Sequence, residues 1–228
     1  MTNLSYQVVR SSKRKKLTIT VERDCTIVVH TPTITSDEMI EKIVASKRQW
    51  ILEKINHPQK YTPRPPAPGK EVVNGESALY LGREYRIEID TTGIESIQFA
   101  RHFLIPSGNQ QDQRNMLKEW YITQAKETIL PRVDRFAREL GVSVALVKIV
   151  DNRYRWGSCT VNDNVNFNWR LIKAPMFVIE YVIYHELAHL LEANHTPRFW
   201  NIIRAKIPTA DKAKNWLKDH GQLLEEEL

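Results

Sequence analysis

The chain has 228 residues and a mass of 26.7 kDa, with 33 Lys and Arg against 27 Asp and Glu for a formal net charge of +6. Its 42% hydrophobic and 26% charged residues are those of an ordinary globular protein, which excludes a disordered chain, a collagen-like fibre and a coiled-coil rod. No run of eighteen apolar residues escapes a charge, and the first sixteen residues lack the apolar stretch of a signal peptide. The expectation is a cytoplasmic protein with no membrane partner. Its two cysteines, Cys25 and Cys159, are too few for a disulfide framework.

In chain order, the first feature is a basic cluster. Arg10, Lys13, Arg14, Lys15 and Lys16 place +5 in the first sixteen residues, where there is no acid. Such a cluster can attract a phosphate backbone, which makes nucleic acid a possible partner. A lysine-protected hairpin edge is the plainer reading, since no aromatic residue interleaves the cluster as a stacking platform. Alternation in Leu17–Val21 and Ile27–Val29 then predicts a half-buried hairpin turning at Glu22-Arg23-Asp24. A helix follows, with Thr35 and Glu38 as a capping pair and apolar residues from Met39 to Ile55 at helical spacing.

Residues 57–69 hold five of the eleven prolines and read as a stiff, extended connector. Beyond it, Ala78–Leu81 and Tyr85–Ile89 pair around Gly82-Arg83, and a further short strand is expected near Ile97–Leu104. A long helix should span about 109–140 and end on Gly141 as a left-handed cap. Strands at Val144–Val150 and through Val165, Phe167, Trp169 and Leu171 come next. The second of these turns Asn164, Asn166, Asn168 and Arg170 to a face that can meet water or a ligand. Strands and helices are segregated, so the expected fold is α+β. A β-rich part with one helix would occupy 1–106, and a helix-rich domain with a small sheet 107–228.

The chemistry sits in residues 176–192, MFVIEYVIYHELAHLLE. Apolar residues surround this helix almost completely, so it should be buried. Two imidazoles and a carboxylate inside it must then find partners. His185 and His189, four apart, stack on one face where two imidazole nitrogens can share an ion. Glu186 lies about 100° round the axis, beside such an ion, where a carboxylate can take a proton from an activated water. This is the H-E-x-x-H spacing.

A catalytic zinc wants three protein ligands and one open position. His195 leads for the third, although on a continuous helix it would lie about 80° off the ligand face and ~15 Å further along. It reaches the ion only if the helix ends and the chain doubles back, for which Asn194 offers a left-handed residue. Thr196 and Pro197 then read as the cap and first position of a new helix. The spacing to His195 equals that of the metzincin pattern, but Glu192 stands where that pattern has glycine, and no Met-turn is evident. A downstream acid such as Asp211 is the alternative third ligand.

The run Arg155-Trp156-Gly157-Ser158-Cys159, then Asn168-Trp169-Arg170-Leu171, then HELAHLLEANHTPRFW from His185 to Trp200 resembles the YgjP-like metallopeptidase family, which is related to the SprT-like and other zincin peptidases. The likeness extends to the N-terminal SSKRKKLTITV, the YLGREY hairpin and the C-terminal helices. It implies a zincin-like catalytic half holding one Zn2+ on His185, His189 and His195, with Glu186 as the catalytic acid/base.

The reading is therefore a zinc metallopeptidase acting on a peptide or protein substrate. Its alternative is a nucleic-acid-associated zinc protein, either a protease acting on DNA-bound protein or a non-catalytic zinc module. Arg155, Asn168, Arg170 and Tyr184 are the candidate contacts to substrate or oxyanion. The strand carrying Asn164–Arg170 is the candidate edge for an extended substrate. For RWGSC, a site role and a packing role through Trp156 fit equally, with Gly157 permitting a tight turn or a close backbone approach. Tyr181 and Tyr184 flank the ligands, with core packing the plainer role for each; Cys25 and Cys159 read as small core fillers. His220, near the C-terminus, could approach the cleft, and His30, His57 and His102 read as ordinary loop or surface histidines.

Overall fold

A computed structural model describes residues 4–22, 25–55, 71–152, 155–226 and 228. The proline-rich connector and the Arg23-Asp24 part of the first expected turn lie outside them. The chain forms two compact units, Met1–Pro65 and Pro66–Leu228.

In the first unit, β1 (Gln7–Arg10) runs parallel to β3 (Ile27–Thr31), and β2 (Thr18–Val21) pairs antiparallel on its other side, in the order β1-β3-β2. The β2–β3 hairpin is the one the alternation predicts; β1 is additional. The expected helix is two helices, α1 (Asp37–Ser46) and α2 (Arg48–Ile55). Its cap is Ser36, whose Oγ accepts from the Met39 amide, whereas Thr35 belongs to a turn closed on the Pro32 carbonyl. The break falls at Lys47, beside Ser46, whose hydroxyl bonds the Ile43 carbonyl and competes with the helix ladder. Val21, Ile27, Val29, Ile40, Val44 and Ile51 form this unit's own core. Its 12 Lys and Arg against 6 Asp and Glu carry the whole +6, because the 21 basic and 21 acidic residues of the second unit cancel.

The second unit opens with β4 (Ser77–Tyr80) and β5 (Arg83–Asp90), joined through Leu81 and Gly82, both at positive φ. Gly82 is needed twice over there. A Cβ on it would also lie 2.5 Å from Pro175, against which the hairpin docks. The single strand expected near Ile97–Leu104 is a pair, β6 (Gln98–Phe99) and β7 (Phe103–Pro106), giving the sheet order β4-β5-β7-β6. The long helix is α3 (Gln110–Leu140), opened by the Asn109 side chain on the Asp112 amide and closed by Gly141 at φ 68°, as expected. Its buried residues Leu117, Tyr121, Ala125, Ile129 and Val133 form one stripe.

This four-stranded sheet shares its core with α3, through the rings of Tyr80, Phe99 and Phe103 on Trp120 and of Phe103 on Tyr121. Contacts therefore divide the chain between Pro65 and Pro66, whereas the expected division was at 106. A third sheet follows, from β8 (Leu146–Val150), β9 (Gly157–Cys159) and β10 (Asn164–Asn168) in the order β8-β10-β9. A 3-10 turn at Trp169–Lys173 leads to α4 (Met176–Ala188), α5 (Pro197–Lys206) and α6 (Ala210–Leu224). The fold is α+β, with six helices and three small mixed sheets among the described residues.

Candidate metal centre

Helix α4 is buried without interruption from Tyr181 to Ala188, matching its all-round apolar sequence. The helix stops at Ala188, with His189 as its C-cap still at right-handed angles. The Leu191 and Glu192 amides both turn back onto the Ala188 carbonyl. Asn194 is not among the residues at positive φ, so the expected left-handed exit is replaced by this tight run of amides. Thr196 then caps α5 by accepting from the Phe199 amide at 3.3 Å, with Pro197 in the first turn, as the residues suggest.

The reversal returns His195 to the helix it left. His195 Nε2 lies 2.9 Å from His185 Nε2, and ligand atoms of His185, His189 and His195 all lie within 4.8 Å of one another. Tetrahedral Zn–N bonds of ~2.0–2.1 Å place nitrogens ~3.4 Å apart, so these atoms need only small shifts to share an ion. Asp211, the alternative ligand, is not part of the cluster. Phe199, overlooked in the sequence, is fully buried and packs on all three imidazoles with ring centroids 4.6–4.9 Å away. Trp200 stacks on His195.

On two of the rings the remote nitrogen has a partner. His189 Nδ1 donates to the Glu192 carbonyl at 3.2 Å, leaving Nε2 for an ion. His185 Nδ1 has the Tyr181 hydroxyl at 3.5 Å. Burial holds His189 below its ordinary pKa, against the hydrogen bonds to the Glu192 and Ala193 backbone, which keeps its lone pair free. A donor set of three imidazoles, two of them with outer hydrogen-bond partners, fits a divalent metal.

Glu186 stands beside this cluster and faces β9. Burial pushes its carboxyl up to about 8, opposed by the Arg155 charge and by a hydrogen bond from the Cys159 amide. A Cβ on Gly157 would lie 2.5 Å from Glu186 Cγ and 2.7 Å from its Oε1, so glycine is required there for space. Of the four candidate substrate contacts, Arg155 acts on this carboxylate through its charge, and the other three have partners elsewhere. Tyr184 donates to Glu139 of α3 and stacks on Phe136. Asn168 donates to the Asn152 and Arg155 carbonyls and accepts from the Arg170 amide, holding the loop before β9 and capping the 3-10 turn. Arg170, only 7% exposed, bonds Asp151 and covers the Trp169 ring. The polar face expected to meet water is thus buried at both residues.

The expected substrate edge moves as well. β10 is the centre strand of its sheet, paired on both sides, and β9 is an edge. His220 bonds the Trp216 carbonyl and stacks on that ring; His102 lies 3.7 Å from Glu88, and His30 is in β3. Neither cysteine is in a disulfide, and Cys159 is half-buried in β9.

A family model of the YgjP-like metallopeptidase domain matches residues 15–220. The chain belongs to this family. The resemblance read from RWGSC, NWRL and HELAHLLEANHTPRFW holds over nearly the whole chain, and the family makes it a metallopeptidase. Two solved structures are similar in part, both metallopeptidase zymogens. Jannalysin of Methanocaldococcus jannaschii is 20% identical and covers 42% of this chain and 96% of its own, with a TM-score of 0.35. Abylysin of Pyrococcus abyssi is 17% identical and covers 49% and 99%, with a TM-score of 0.33. No curated protein matches the chain. Among the described residues, no helix is long and apolar enough to cross a membrane.

Proposed function

We propose that this YgjP-like protein is a zinc-dependent peptidase with Glu186 as its general base. The observation that carries the reading is the return of His195 to within 2.9 Å of His185, which completes a three-histidine set beside a buried carboxylate. His185, His189 and His195 hold the ion, and the Glu192 carbonyl and Tyr181 hydroxyl orient two of the rings. Bound zinc supplies Lewis-acid activation of water and of the scissile carbonyl. Glu186, whose desolvated carboxyl has a raised proton affinity, takes the proton from the attacking water and returns it to the leaving amine. The Arg155 charge opposes the effect of burial on that carboxyl, and the edge strand β9, rather than β10, offers backbone groups to an extended substrate.

The test is Glu186→Gln. The variant should keep one zinc per chain by elemental analysis while cleavage of an unfolded protein substrate falls by at least ~10²-fold. Retained cleavage removes Glu186 as the base, and a wild-type protein purified without chelator that holds no metal overturns the whole reading.

A second reading concerns a partner. Lys13, Lys15 and Lys16 are exposed and form no ion pair among the described residues, while Arg10 is taken up by Asp37. Together with the concentration of net charge in the first unit, this supports nucleic acid as a partner of that unit, in addition to the peptidase chemistry.

A further inference from the structure

We infer that Gly157 is a positioning residue for Glu186, and that β9 is the seat of the general base. The inference rests on the proposed role of Glu186. Three observations on different atoms meet at this point. A Cβ at Gly157 would find Glu186 Cγ at 2.5 Å, Oε1 at 2.7 Å and Cδ at 2.8 Å, closer than real Cβ atoms come. All three of its nearest neighbours belong to this one side chain. The Cys159 amide, two residues along the same strand, donates to the Glu186 carboxylate. The strand itself is fixed on its inner side, where Gly157 pairs with Phe167 and Cys159 with Val165, both fully buried in β10.

Gly157 has no positive φ, so its glycine character is not explained by the backbone. Nor can Glu186 yield without loss of its contacts. It sits on the fully buried stretch of α4, so a methyl group at 157 must displace either the carboxylate or the strand. The preceding residue resists movement of the strand. Trp156 is buried, its carbonyl accepts from the Asn168 amide at 2.8 Å, and its ring lies against Gly221 of α6. The carboxylate is therefore the part that moves. It would leave the Cys159 amide and its place beside the imidazoles, a displacement of the size that costs ~10²-fold in a positioned reaction. Gly157 touches no substrate in this account and acts through Glu186 alone.

The experiment is a double-mutant cycle on thermal stability, with zinc content and cleavage measured on the same four proteins: wild type, Gly157→Ala, Glu186→Ala and the double variant. Gly157→Ala is expected to lower Tm by on the order of 5 °C in the wild-type background. In the Glu186→Ala background, where Cγ, Cδ and both carboxylate oxygens are gone, the same change should cost less than about 1 °C. Zinc should stay at one per chain in Gly157→Ala, while kcat falls ~10²-fold with little change in KM. Failure of Gly157→Ala to fold supports the seat if the double variant folds. Equal Tm losses in both backgrounds, failure of both variants to fold, or an unchanged Tm with full activity would overturn it. The Tm cycle reads the seat even when no cleavage is found, so failure of the peptidase reading and failure of this inference remain separate results.

Discussion

At the scale of single residues, the three-histidine cluster was legible because sharing an ion imposes a spacing. Two imidazoles at i and i+4 of a buried helix need a partner, and the cap-and-proline pair Thr196-Pro197 marked where a returning chain would restart. The tyrosines were not legible in the same way. Tyr181 and Tyr184 lie only about 60° apart on a helix that is apolar all round, so no hydrophobic face tells which one looks at His185. The structure assigns that role to Tyr181, fully buried with its hydroxyl 3.5 Å from His185 Nδ1, and gives Tyr184 to Glu139. Tyr181→Phe keeps the ring and removes only the outer partner of His185. Zinc affinity, measured by competition with a chromogenic chelator, should weaken by about 10-fold, and Tyr184→Phe should leave it unchanged. An equal effect of both substitutions would point to packing of α4 rather than to orientation of the imidazole.

At the scale of elements, the errors have one cause. Period-2 and period-3.6 patterns locate an element but do not show what its ends do. Asn168 and Arg170 fall on the polar side of an alternating run. The strand ends at Asn168, however, and the 3-10 turn that follows carries both side chains into the protein. What they do there is join elements. Arg170 of the turn and Lys118 of α3 both meet Asp151 at the end of β8, at 2.5 Å and 2.7 Å. Burial alone would raise the Asp151 carboxyl; the hydrogen bonds from Lys118 and Arg170 outweigh it and hold the group down to about 2. A carboxylate depressed on folding contributes stability above its unfolded pKa of ~3.9 and loses that contribution as pH falls through the folded value. Asp151→Asn should therefore cost about 1 kcal/mol at pH 7, less than is usual for a hydrogen bond to a charged group because the carboxylate is 41% exposed. It should also flatten the acid limb of stability between about pH 4 and 2. Denaturant titrations of the two proteins across that range check both effects, and parallel acid limbs would show that Asp151 is not the group responsible.

At the scale of the whole molecule, composition turned out to be informative only after the chain was divided. A net charge of +6 on 228 residues means little, and the same charge on the 65 residues of one unit means a self-repelling surface unless an anion covers it. The division itself was hard to place from sequence. The β4–β7 strands resemble those of the N-terminal hairpin in pattern, and only the aromatic packing of Tyr80, Phe99 and Phe103 on Trp120 assigns them to the second core. Within the first unit, Arg10 and Arg14 are spent on Asp37 and Thr18, whereas Lys13, Lys15 and Lys16 are exposed and form no ion pair among the described residues. If this unit docks a nucleic acid, those three lysines displace counterions, each adding roughly one to the slope of log K against log salt. Replacing all three by alanine should lower that slope by about 3 in fluorescence-anisotropy titrations of duplex DNA, while leaving one zinc per chain. A wild-type slope near zero, or a slope the triple variant does not alter, would mean that the basic loop only guards the end of a small sheet, as lysine often does at exposed strand edges.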